Sequence, residues 1–64
     1  MNMEYEQQTK SRFMTAQDVA DEIGISKSRA YILIRDLNKE LAKKGYYTIA
    51  GKIPRKYFEE KLYC

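Results

Sequence analysis

Residues 26–45 read SKSRAYILIRDLNKELAKKG, and they carry the signals of one long helix. The hydroxyl of Ser26 can cap a helix, because it accepts from backbone N–H groups that have no partner within the helix. Apolar side chains then recur at spacings of three and four residues, which predicts one apolar stripe along a helix of about four to five turns. The stripe consists of Ala30, Leu33, Ile34, Leu37 and Leu41. Gly45 predicts the end of the helix, since glycine adopts the left-handed conformation without steric cost.

The remaining faces of this helix are basic. They carry Lys27, Arg29, Tyr31, Ile32, Arg35, Lys39, Lys43 and Lys44. A helix that is apolar on one side and basic on the others is typical of a surface that binds a polyanion. The alternative is an ordinary solvated face, which is common for runs of lysine. The residues before this helix favour the first interpretation.

A shorter helix precedes the basic one. Thr15 and Asp18 form a shortened capping box, and Met14 can pack on Val19 across that cap. Gly24 is expected to end this helix after about two and a half turns. The chain therefore contains a short helix, a glycine turn and a long basic helix in direct succession.

The order of helix, glycine, apolar residue, capping serine and helix is that of the helix-turn-helix. Ala20 is small at the position where the two helices must cross closely, and Gly24 supplies the positive backbone angle of the turn. Apolar residues occupy the positions of the shared core, namely Val19, Ile23, Ile25, Ala30 and Leu33. The alternative is a plain helical hairpin, which needs neither this turn nor a basic second helix.

A β-hairpin is predicted after the basic helix. Residues 46–49, YYTI, are rich in strand formers, Ala50 and Gly51 can turn, and residues 52–53 can return as a second strand. Such a hairpin behind a helix-turn-helix is a wing. Pro54 is not expected inside a paired strand, since it lacks an N–H group.

A third helix is predicted over residues 55–63, directly after Pro54. Phe58 and Leu62 lie four residues apart and are expected to face the core. The predicted fold is thus mainly α with a small β-hairpin: a winged helix-turn-helix of three helices and a two-stranded wing. Residues 13–64 would form this domain, and residues 1–12, which are polar and lack periodicity, would form a disordered arm.

The composition excludes several classes of protein. Residues 27–56 hold nine Lys or Arg against two Asp or Glu, whereas residues 1–26 hold two against five, which is the charge distribution of a nucleic-acid face. The chain has no apolar run of membrane-spanning length and no signal-peptide centre, so we expect a cytoplasmic protein. It has no histidine, one cysteine and no glycine-rich phosphate loop, and it is therefore not expected to be an enzyme or to use a metal, a cofactor or a small-molecule substrate.

Residues 14–37, MTAQDVADEIGISKSRAYILIRDL, followed by residues 51–62, GKIPRKYFEEKL, resemble a known family. The family is that of the small excisionase-type DNA-binding proteins of phages and integrative elements, which are winged helix-turn-helix domains loosely related to the MerR-like module. The resemblance implies a recombination directionality factor, which binds and bends double-stranded attachment-site DNA so that an integrase, of the tyrosine type or another, excises the element. Because a single small module buries only about 600–1,000 Å² on DNA, we also expect neighbouring copies side by side on DNA. A small transcriptional repressor of a mobile element, or a protein-binding module such as an antitoxin, is the alternative.

The expected DNA contacts follow from the motif, in which the N-terminal half of the second helix meets base edges. The base-edge candidates are Ser26, Lys27, Ser28, Arg29, Tyr31, Ile32 and Arg35, and the phosphate candidates are Lys52, Arg55 and Lys56. Arg35 or Lys27 can donate to guanine, and an exposed Ile32 can pack on a thymine methyl group. The alternative for Ile32 is burial against the first helix or the wing.

Overall fold

The structure, a computed structural model, describes residues 12–63. Its elements in chain order are strand β1 (Phe13–Thr15), helix α1 (Ala16–Ile23), helix α2 (Lys27–Lys43), strand β2 (Lys52–Pro54) and helix α3 (Arg55–Tyr63). Three helices and one two-stranded antiparallel sheet within these residues confirm the predicted fold class. The predicted disordered arm falls outside the described residues except for Arg12. No helix among residues 12–63 is long and apolar enough to cross a membrane.

Helix α1 begins and ends at the predicted residues. The hydroxyl of Thr15 accepts from the backbone N–H of Asp18 at 3.2 Å, and the Asp18 carboxylate accepts from the backbone N–H of Thr15 at 3.0 Å. This reciprocal pair is the predicted capping box. Gly24 ends the helix with φ at 71°, and its N–H donates to the carbonyl of Ala20 at 2.9 Å.

Helix α2 also keeps its predicted ends. The hydroxyl of Ser26 accepts from the backbone N–H three residues further on at 3.2 Å. At the other end Gly45 has φ at 92°, and the N–H groups of Gly45 and Tyr46 donate back to the carbonyls of Ala42 and Leu41 at 3.0 and 3.1 Å. These two bonds form a Schellman motif, which satisfies carbonyl groups at the helix end.

The core lies between α1, α2, the sheet and α3. Its buried side chains are Met14, Ala16, Val19, Ala20, Ala30, Ile34, Leu37, Leu41, Ile53 and Phe58. Ile23, Ile25 and Leu33 are only partly buried and pack against it. The prediction that Leu62 faces the core is wrong, since this side chain is 41% exposed near the end of the last helix. Tyr57 packs there instead.

The predicted pairing of the wing strands is wrong, although the sheet has two strands. Strand β2 pairs with β1, so that Met14 lies opposite Ile53, and both side chains are buried. Of residues 46–49, only Ile49 forms a bridge, to Lys52. The physical reason is the burial of side chains. A strand is stabilised by the side chains that it packs against the core, as Met14 and Ile53 do. Tyr47, in the predicted strand, is fully exposed.

Pro54 is part of a paired strand, contrary to the prediction. It is the last residue of β2 and lies opposite Phe13. A strand with a single neighbour leaves part of its backbone N–H groups outside the ladder, so a proline at its end is tolerated. The next N–H group, that of Arg55, donates to the carbonyl of Arg12 at 2.7 Å. The backbone of Arg12 is thereby joined to the start of α3.

A polar cluster attaches α3 to the C-terminal half of α2. The hydroxyl of Tyr57 donates to Glu40 Oε1 at 2.8 Å, and the ammonium of Lys61 lies 3.1 Å from the same oxygen. The ammonium of Lys44 lies 5.3 Å from the centre of the Tyr57 ring. The hydrogen bond from Tyr57 and the contact with Lys61 hold the pKa of Glu40 below its usual value.

We expect Gly24→Val to lower the free energy of unfolding by about 1–3 kcal/mol, because a β-branched residue is strained at positive φ. Nothing lies within 4 Å of a Cβ built at Gly24, so the cost comes from the backbone conformation and not from a collision. Gly24→Asn is the matched control, since asparagine tolerates the left-handed region. Urea denaturation of both variants measures the difference. Equal stability of the Val variant and the wild type would contradict the assignment of the turn.

Protonation of Glu40 should weaken the attachment of α3. Because its pKa is lower in the folded than in the unfolded state, the stabilisation is present above the unfolded value of 4.5 and is lost as the pH falls through the folded pKa. The urea midpoint of the wild type should therefore exceed that of Glu40→Gln at about pH 7, and this excess should shrink towards about pH 3. A difference that stays constant over this range would show that the charge of Glu40 contributes nothing.

Candidate nucleic-acid interface

The outer face of α2 combines basic, aromatic and apolar side chains. This face consists of residues that each lie three or four positions from another member, on the side of the helix away from the buried stripe: Ser28, Tyr31, Ile32, Arg35 and Lys39. Tyr31 is 50% exposed and Ile32 51% exposed. Burial of Ile32, which the sequence left open, is therefore excluded. We call these five residues the outer face of α2.

The other candidates in the first turns of α2 lie around this face. The Ser26 side chain is engaged in capping the helix. Lys27 lies on the side of α2 towards β2, because it lines a groove together with Gly51 and Lys52. Arg29 is exposed, but it precedes Arg35 by six residues, so the two point about 120° apart around the helix. Lys27 therefore lies beside the outer face on the side of the wing turn, whereas Arg29, three residues before Ile32, lies beside it on the other side.

Residues 49–52 form a tight turn, which we call the wing turn. The N–H of Lys52 donates to the carbonyl of Ile49 at 3.1 Å, and Gly51, the third residue, has φ at 77°. A positive φ at the third position is what a type II turn requires. A Cβ built on Gly51 would lie 3.5 Å from a ring carbon of Tyr31. The wing turn is therefore close to the outer face of α2.

Two shallow grooves flank this meeting point. The first is lined by Tyr31, Ile32, Arg35, Asn38, Lys39, Ala42, Thr48, Ala50 and Gly51. The second is lined by Thr15, Ala16, Gln17, Lys27, Tyr31, Ala50, Gly51 and Lys52. Tyr31, Ala50 and Gly51 belong to both, so they form the ridge between the grooves. The outer face of α2 and the wing turn consequently form one continuous surface.

Asn38 connects α2 to the wing turn, and the sequence interpretation missed it. Its side-chain amide donates to the carbonyl of Ile49 at 3.1 Å and to the carbonyl of Lys52 at 3.0 Å. Its Oδ1 atom is buried and has no hydrogen-bond partner among the described residues. The available signal was a helix-disfavouring asparagine in the middle of a long helix.

The three phosphate candidates lie in different places. Lys52 ends the wing turn and is exposed. Arg55 is partly buried at the start of α3. Lys56 lines a third groove together with Lys44, which lies about 180° around α2 from Arg35. The structure therefore brings Lys52 to the continuous surface and places Lys56 on the far side of α2.

The charges of this surface are solvent-exposed and predominantly positive. Lys27, Arg35, Lys39 and Lys52 are all exposed. The nearest counter-charge to Arg35 is its neighbour Asp36, at 3.8 Å between Nε and Oδ1. Such an exposed pair contributes only about 0–1 kcal/mol, so the guanidinium can exchange it for another anion. Among residues 12–63, no three His, Cys, Asp or Glu side chains form a group that could hold a metal ion.

Comparison with known proteins identifies the family. The ICEBs1 excisionase of Bacillus subtilis (strain 168) is 40% identical to this chain over 55 residues, which cover 86% of this chain and 84% of that relative. No protein-family model matches the chain, and no solved structure matches it. The link to the MerR-like module therefore remains an interpretation. The identity and coverage confirm the resemblance found in the sequence, and this chain belongs to the family of excisionase-type recombination directionality factors.

Proposed function

We propose that this protein binds and bends the attachment-site DNA of a mobile element, and so helps an integrase to excise the element without catalysing a reaction itself. The observation that carries the proposal is the continuous surface formed by the outer face of α2 and the wing turn. Membership of the excisionase family supports it. The role needs no metal, cofactor or small-molecule substrate. We place it in the cytoplasm of a prokaryotic cell, at the nucleoid.

In this proposal α2 enters the major groove and the wing turn lies over the adjacent backbone. The aromatic ring of Tyr31 and the side chains of Ile32 and Arg35 face the base edges. Arg35 or Lys27 donates to guanine, and Ile32 packs on a thymine methyl group. The other expected contacts are Ser26, Ser28 and Arg29 at the start of α2, and Lys52, Arg55 and Lys56 at phosphates. Of the last three, Lys52 has the strongest support, because it ends the wing turn.

Bending of the attachment site is expected to need several copies of the protein. A single module of this size buries about 600–1,000 Å² on DNA, whereas bending a site of 20–30 base pairs costs on the order of 1–6 kcal/mol. Several copies on repeats about one helical turn apart can offset that cost together. The proposed partners are thus neighbouring copies of this chain and an integrase of the tyrosine type or another type.

Substitutions on α2 and on the wing turn should affect DNA binding differently. Arg35→Ala or Tyr31→Ala should cost roughly 1–3 kcal/mol on attachment-site DNA and much less on random DNA, because these side chains read base edges. Lys52→Ala should weaken binding to both DNAs alike and lower the salt slope by about 1, because it removes a phosphate contact. Fluorescence anisotropy at several salt concentrations measures both quantities.

Lys44→Ala is the matched control for Lys52→Ala. It removes the same charge on the far side of α2 and should change the affinity and the salt slope less. If Lys52→Ala lost discrimination between the two DNAs while Arg35→Ala kept it, the roles given to helix and wing would be reversed. Equal affinity of the wild type for both DNAs at matched salt would favour a protein-binding module.

The proposal also predicts a pattern on attachment-site DNA. Footprinting should show protection over repeats at one attachment arm, and the protection should fill over a narrow concentration range because neighbouring copies touch. The gel mobility of the complex should depend on the position of the site within the fragment, as expected of bent DNA. Deletion of the gene should reduce excision of the element. A single footprint at a promoter, unbent DNA and unchanged excision would instead support a repressor.

A further inference from the structure

The wing turn has little backbone support on the side of residues 46–49. Within the described chain, this segment makes one bridge, between Ile49 and Lys52, and that bridge lies inside the turn itself. The two-stranded sheet holds the wing turn through β2, which begins at the last residue of the turn, and not through residues 46–49. Among the described residues, the side-chain hydrogen bonds between α2 and the wing turn come from Asn38, and the Tyr31 ring lies beside Gly51.

The two hydrogen bonds of Asn38 reach both ends of the wing turn. One of its N–H groups points to the carbonyl of Ile49, at the first residue, and the other to the carbonyl of Lys52, at the last. A side-chain amide has two donor hydrogens, so its donor capacity is fully used. The opposite orientation of the amide would place Oδ1 against two carbonyl oxygens. Asn38 therefore fixes both ends of the turn at once.

We propose that Asn38 is a positioning residue for DNA binding, which holds the wing turn against α2 so that helix and wing bind as one preorganised unit. The inference rests on the proposed function, since it concerns how Lys52 reaches a phosphate. A turn that is already ordered in the free protein does not have to be ordered on binding, and this lowers the entropic cost of association. Without the amide, Lys52 would lie on a loop whose position relative to α2 varies.

A double-mutant cycle tests this coupling. Asn38→Leu removes both donors at similar size and without adding a charge near the DNA. Lys52→Ala should weaken binding about fivefold or more in the wild-type background and less than about twofold in the Asn38→Leu background. Arg35→Ala should have the same effect in both backgrounds, because Asn38 does not hold Arg35. A general loss of stability would not produce this difference between Lys52 and Arg35.

Tyr57→Phe provides the control for stability. It removes the hydrogen bond to Glu40, is likewise neutral, and lies away from the wing turn. In that background Lys52→Ala should keep its full effect. An equal effect of Lys52→Ala in the wild-type and Asn38→Leu backgrounds would overturn the inference and leave the proposed function intact. Failure of the wild-type protein to bind DNA would overturn the proposed function and the inference with it.

A measurement on the wild-type protein covers the case in which Asn38→Leu does not fold. Backbone amide order parameters of Ala50 and Gly51 in the free protein should be near the value of about 0.85 that is typical of rigid backbone. Values below about 0.6 would show that the wing turn is not preorganised and would overturn the inference without any variant.

Discussion

The antiparallel pairing of β1 with β2 joins the start of α1, the wing turn and the strand that precedes α3. Met14 and Ile53 face each other in the sheet, and both are buried in the core. In the same ladder, Thr15, which caps α1, lies opposite Lys52, which ends the wing turn. The strand then leads through Pro54 directly into α3. Three residue pairs thus join the cap of α1 to the end of the wing turn and to the strand that precedes α3.

The sequence was sufficient to predict the elements whose signals are local. A capping side chain satisfies backbone groups within the same turn, so Thr15 and Ser26 indicate helix starts without knowledge of the fold. Gly24 and Gly45 indicate helix ends for a similar reason, since the left-handed conformation is a property of one residue. The apolar stripe of α2 predicted which face of the helix is buried, and it therefore also predicted which face is exposed. The outer face of α2 could be predicted to that extent.

The relations between elements could not be predicted, because they depend on contacts distant in the chain. A strand of three residues carries too little periodicity to show its partner, and burial of Met14 selected β1 over the tyrosine-rich segment. The position of Lys56 on the far side of α2 follows from how α3 packs on the sheet. The role of Asn38 depends on where the wing turn lies and has no local signature beyond an unfavourable helix residue. The missing information was therefore tertiary in each case.

We propose that the outer face of α2 and the wing turn form one DNA-binding surface. The most direct test is NMR titration of the ¹⁵N-labelled protein with a duplex that carries one repeat of the attachment site. We expect the amide signals of residues 28–39 and 49–52 to shift together, with the same dependence on DNA concentration, while those of residues 59–63 in α3 stay unchanged. Shifts concentrated at Tyr46 and Tyr47, or no shifts in the wing turn, would show that DNA binds elsewhere on the protein.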